Sequence, residues 1–266
     1  MITGTHFRVG STVNLGAGIT SGGSKRRVRS GGGRGHTLSP RIERRGRMGW
    51  LRIIVSGGLL AVAAGPSPAA GAGPETVDEA VTILRESPDP KARGSAVTVL
   101  AETGGMEHLP HLVRALRDGD ADVRSLAEEA LWRVWSRSGD PVVDRLFAEG
   151  IDQMRERQLV EAADTFSRII ERRPDFAEGW NKRATVYYWL GEYEKSLADC
   201  DEVMKRNPHH FGALSGYGMI YIQLDRLERA IEYFERALAI NPNLGQVEAT
   251  IESLRRSLRS RGRETT

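Results

Sequence analysis

A chain of 266 residues with 39% hydrophobic content is long enough for one or two domains and apolar enough to fill a core, which excludes global disorder. The net charge of +3 hides an asymmetry: of 38 Lys and Arg and 35 Asp and Glu, 11 basic residues and a single acid, Glu43, precede Glu75, leaving 27 against 34 beyond it. The body is therefore acidic, by about −7, which excludes a broadly basic nucleic-acid-binding face, and no nucleic-acid partner is expected.

Residues 1–47 read as a disordered or upstream extension: the tract SGGSKRRVRSGGGRGH, Ser21 to His36, has no apolar period and too few large side chains to offset ordering entropy. Residues 48–72 have the order of a secretory signal, with Arg47 and Arg52, then the apolar run Ile53 to Gly65, then small residues ending in Ala70, Gly71 and Ala72. Met48 stands where such a signal would begin. The run is shorter than the roughly 20 residues that span a bilayer, so no membrane insertion is expected after cleavage. These features predict an exported, periplasmic protein; an organelle transit peptide is the alternative, since the segment is rich in Arg and Ser and nearly free of acids.

Residues 75–139 read as helical pairs. DPKARGSAVTVL, from Asp89, and DADVRSLAEEAL, from Asp120, each start with Asp, carry Arg four residues on, and then place Ala and Leu at helical spacing. Arg93 and Arg124 are 31 residues apart, as are Leu100 and Leu131. The pattern resembles the second helix of HEAT repeats, with TVDEAVTILRES and EHLPHLVRALRD as the first helices. Trp132 and Trp135 lie near the end of this region.

From 143 to 244 the period changes. Pro174, Pro208 and Pro242 are 34 residues apart and define three windows, Val143 to Phe176, Ala177 to His210 and Phe211 to Leu244. Each proline ends an amphipathic stripe such as Leu227, Ala230, Ile231, Phe234 and Leu238. The third window has Gly218, Tyr221, Ala230, Phe234, Ala237 and Pro242, and the first has Gly150, Ala162, Phe166 and Pro174. The second has Trp180, Tyr187 and Pro208, but Ala184, Ser196 and Cys200 replace a glycine, an alanine and a phenylalanine. These residues resemble the tetratricopeptide repeat (TPR). Residues 245–266 add a capping helix with a narrow stripe of Val247, Ile251, Leu254 and Leu258, and a tail. The expected fold is all-α: a right-handed α-solenoid, with HEAT-like helices leading continuously into a TPR superhelix.

Chemistry is sparse. There is no phosphate-binding loop, nucleophile elbow or zincin motif, and the Gly216–Gly218 pair lies inside a repeat helix, where it favours close packing. His108 and His111 are two ligands at most and read as surface histidines; His209 and His210 fall in an inter-repeat turn and read as exposed or partner-facing. Cys200, the single thiol, stands where the repeat buries an aromatic ring and reads as a core residue. No catalytic residue, metal site or cofactor is expected.

The resemblance implies a concave groove lined by the first helix of each repeat. By register its residues are Ile151, Met154 and Arg155, then Asn181, Thr185, Tyr188 and Trp189, then Met219 and Ile222, with Phe147, Ser215 and Gln223 alongside. A carboxylate clamp of the chaperone-binding kind is not expected, because Phe147, Ile151, Gly212 and Gly216 fall where donors are needed and only Lys182 is basic. The expected function is a non-enzymatic scaffold or adaptor that holds a protein or peptide segment, with homo-oligomerisation allowed. The alternative is an accessory subunit of an enzyme complex whose catalytic chain is encoded elsewhere.

Overall fold

The computed structural model describes residues 73–264, and the leader readings for residues 1–72 lie outside it. Among the described residues every regular element is helical. Four helices form two HEAT-like pairs: α1 (Val77–Glu86) with α2 (Pro90–Thr103), and the short α3 (Leu109–Ala115) with α4 (Ala121–Trp135). Their starts are set locally. Thr76 and Glu79 form a reciprocal capping box on α1, and Asp89 and Asp120 accept from the first amides of α2 and α4.

The two arginines at 31-residue spacing have one shared task. Arg93 Nη1 donates to the carbonyls of Ser87 and Pro88, and Arg124 Nη1 to those of Asp118 and Gly119, so each satisfies carbonyls released after the preceding helix. The remaining nitrogens of Arg93 grip Asp118, in the next turn of the HEAT-like region, at 2.8 and 2.7 Å.

The repeat pairs follow as α5 (Pro141–Arg155) with α6 (Leu159–Arg172), α7 (Ala177–Leu190) with α8 (Tyr193–Arg206), and α9 (Phe211–Gln223) with α10 (Leu227–Ile240). The ends of α6, α8 and α10 lie two residues before Pro174, Pro208 and Pro242. Within each pair the turn passes through a left-handed residue at the same register, Arg157 (φ 64°), Gly191 (φ 81°) and Asp225 (φ 55°). The last helix, α11 (Gly245–Glu264), starts where the first helix of a fourth repeat would. It packs on α10, with Val247 and Ile251 buried, as a cap must.

The expected single continuous stack is not what forms. The helices α4 and α5 do not pack as a repeat pair; after α4 the chain reverses through Gly139 (φ 75°), and α4 lies along the inter-repeat turns of the TPR array. It meets them in reverse order. Arg117 donates to the Ile240 carbonyl at 3.0 Å and to that of Ala239, Arg124 Nε to Asn243 Oδ1 at 3.1 Å, and Asn241 Nδ2 to Glu128 Oε2 at 3.0 Å. Further along, Trp132 and Trp135 pack on His210 and Phe211, and Arg173 and Arg172 reach the Ser138 carbonyl and Asp140. In this position α4 buries Leu131, Trp132, Val134 and Trp135, the two tryptophans against His210 and Phe211.

Candidate protein-binding surface

The fold sorts the nine expected groove residues into three groups, with Tyr188 shared by the first and the last. Asn181, Thr185, Tyr188 and Met219 line one small cavity of about 20 Å³ together with Trp132, so the HEAT-like helix enters the groove and closes part of it. Ile151 and Met154 are buried in the first repeat's own core beside Phe147 and Phe166. Arg155 is exposed, paired with Asp152 at 2.7 Å, and Tyr188, Trp189 and Ile222 are half-buried. The two adjacent aromatics diverge. Trp189 packs on the first-repeat core with the Arg157 guanidinium 5.2 Å above its ring, while Tyr188 faces Tyr193 and the third repeat.

Trp132 approaches closely because residue 212 is glycine: a Cβ there would stand 2.5 Å from the indole ring. Beneath it lies a charged network. Glu178, Lys182 and His210 are 0%, 1% and 0% exposed. Lys182 Nζ forms an ion pair with Glu178 Oε1 at 2.8 Å and lies 5.5 Å from the centre of the Trp132 ring. Asn181 donates to both Glu178 oxygens at 3.1 Å. His210 Nδ1 accepts from the Ala213 amide at 3.0 Å, capping α9, so the ring proton sits on Nε2 and is donated to Glu178 Oε2 at 2.9 Å. Burial pushes the Glu178 carboxyl upward, but Lys182 and His210 outweigh it and bring it from 4.5 to about 2.

The network corrects the sequence reading of His210. His210 is a buried helix cap rather than an exposed turn residue, while His209 beside it is exposed. Glu178 and Lys182 are core as well, and their spacing of four is the sequence signal that they pair. Enclosed on all sides, the network has no room for a substrate and works as a structural joint. Lys182, the one basic residue at the clamp positions, is already occupied by Glu178, which removes it as a carboxylate donor.

Cys200 is core, as expected, and burial pushes its thiol pKa far up. Its size has a reason in the repeat register. In the flanking repeats Gly150 faces Phe166 and Gly218 faces Phe234, and a Cβ on either glycine would lie 2.7 or 2.5 Å from the ring. In the second repeat the same pair is Ala184 and Cys200, a larger residue answered by a smaller one, and the cavity they line marks volume left unfilled. Gly216, by contrast, has only ordinary contact with Cys200.

A tetratricopeptide-repeat family model matches residues 175–243, and a HEAT-repeat model matches residues 77–173. A TPR repeat-containing protein of Rhizobium etli is 30% identical over 165 residues, which cover 60% of this chain and 81% of that protein. The chain belongs to the tetratricopeptide-repeat family. The HEAT match runs through the α5–α6 pair, although that pair also carries the 34-residue register of the TPR turns. Among more distant relatives, a small glutamine-rich TPR protein of Dictyostelium discoideum is 28% identical over 46% of this chain and 37% of its own length. The first TPR of Spaghetti, solved with the HSP90 peptide SRMEEVD, is 22% identical with a TM-score of 0.42, covering 44% of this chain and 92% of that domain.

Proposed function

We propose that this TPR protein is a non-enzymatic adaptor that holds an apolar or amphipathic segment of another protein on the part of the groove that α4 leaves uncovered. That part is the strip at the C-terminal ends of α5, α7 and α9, with Arg155, Tyr188, Trp189 and Ile222. The observation that carries the reading is the contrast in exposure: these four remain accessible where the other five groove residues are buried. Half-exposed aromatics beside an arginine are the residue types that anchor partners. The order of the leader supports export to the periplasm as the setting, and a mature chain beginning near Gly73 is the expected result of N-terminal sequencing.

The test is Trp189→Ala in the full chain, with partner recovery measured by pull-down and the fold checked by circular dichroism. Recovery is expected to fall at least about tenfold, the loss typical of a central aromatic anchor. Unchanged recovery from a folded variant would show that the strip is not the site.

A further inference from the structure

The HEAT-like region has a cleft of its own, of about 540 Å³, at the ends of α1 and α3. We infer that this cleft binds an acidic segment of another protein through Arg85, His111 and Arg114. Its lining includes four arginines and a histidine against one carboxylate, Asp118. That carboxylate is already taken by Arg93 in a two-bond grip, and the Arg93 Nη1 is held on the Ser87 and Pro88 carbonyls. Arg117 is engaged with the Ile240 and Ala239 carbonyls.

Three groups remain with donors to spare. Among the described residues, exposed Arg114 and half-buried His111 have no hydrogen-bond or ion partner, and Arg85 has only its neighbour Glu86 in a pair more than half exposed on both sides. A pair of that kind yields readily to a better acceptor. Arg85 and Arg114 lie in the last turns of their helices, but the carbonyls of Ile83, Leu112, Arg114 and Ala115 there are taken by backbone amides, and those just past the helix ends by Arg93 and Arg124. The two guanidinium groups are therefore not consumed as caps. Leu84 and Ala115 add an apolar floor, so the cleft suits carboxylates alternating with apolar side chains.

An acidic peptide fits this site better than a nucleic acid. The chain beyond residue 74 carries 27 basic against 34 acidic residues, and a long polyanion lying across the cleft would meet that excess, whereas a short segment meets only the cleft. The site is separate from the TPR strip, so its failure would leave the adaptor reading standing.

The experiment is fluorescence anisotropy with a labelled peptide of alternating leucine and glutamate, titrated with the full chain at low salt. The double substitution Arg85→Glu with Arg114→Glu is expected to weaken binding at least about tenfold, and Arg256→Glu, on the capping helix away from both sites, to leave it unchanged. All three side chains are solvent-facing, and circular dichroism checks the fold; Arg114→Gln serves as a milder second variant with the same direction. Equal binding by the double variant, equal loss in Arg256→Glu, or tighter binding of a labelled DNA duplex than of the peptide would overturn the proposal.

Discussion

The two halves of helix α7 have the same register neighbours in the sequence and opposite surroundings in the fold. Its first half, with Glu178, Asn181 and Lys182, is sealed beneath Trp132, while its second half ends in half-exposed Tyr188 and Trp189. The difference shows that a repeat groove is not a uniform surface: whichever part another element covers turns from recognition into support.

The largest effect is expected at the sealed half. Glu178→Ala removes the partner of fully buried Lys182 and one partner of His210, and should cost about 3–5 kcal/mol, the range for breaking a buried ion pair. Denaturant unfolding measures it, and a loss under about 1 kcal/mol, as for an exposed pair, would show that the joint is open to water.

The same carboxylate gives a pH signature. Its folded-state pKa lies below the unfolded value of 4.5, at about 2, so the stability it contributes is complete above 4.5 and is lost as pH falls towards 2. Thermal unfolding across that window should show this decline in the native chain and a shallower one in Glu178→Gln, with equal slopes counting against the assignment.

Next in size is the Ala184–Cys200 pair. Cys200→Phe alone should cost about 1–3 kcal/mol through crowding against the Ala184 methyl group. Adding Ala184→Gly, which recreates the pairing of the flanking repeats, should recover part of it, with a coupling of about 1–2 kcal/mol. Strict additivity in the double-mutant cycle would mean that the cavity absorbs the ring without help.

The smallest effect is expected at Arg157, a non-glycine residue held at φ 64° with its guanidinium over Trp189. Arg157→Gly relieves about 1 kcal/mol of backbone strain and forfeits a cation–π contact of about 0.5–1 kcal/mol. The net change in unfolding free energy should stay within about 1 kcal/mol. A larger loss would make the arginine a necessary cover for the tryptophan.

The helical pairs, the 34-residue register, the capping helix and the packing role of Cys200 were legible in the sequence. Each is set by contacts between residues a few turns or one repeat apart, and such contacts leave a period. The sharing of tasks among the groove residues was not legible in the same way: register alone placed Asn181, Thr185 and Met219 on one surface with Trp189. His210 was misplaced for a similar reason, since its partner Glu178 is 32 residues away and its cover, Trp135, precedes the repeats altogether.

By itself the sequence determined which segments are helices and how they pair, because amphipathic period, caps and prolines act within a single repeat. Only the tertiary structure decided that α4 turns back along the array and sets Trp132 beside Asn181, Thr185, Tyr188 and Met219. That choice depends on where two tryptophans find enough apolar area and on whether Gly212 lets an indole ring approach, and neither condition leaves a periodic trace in the chain.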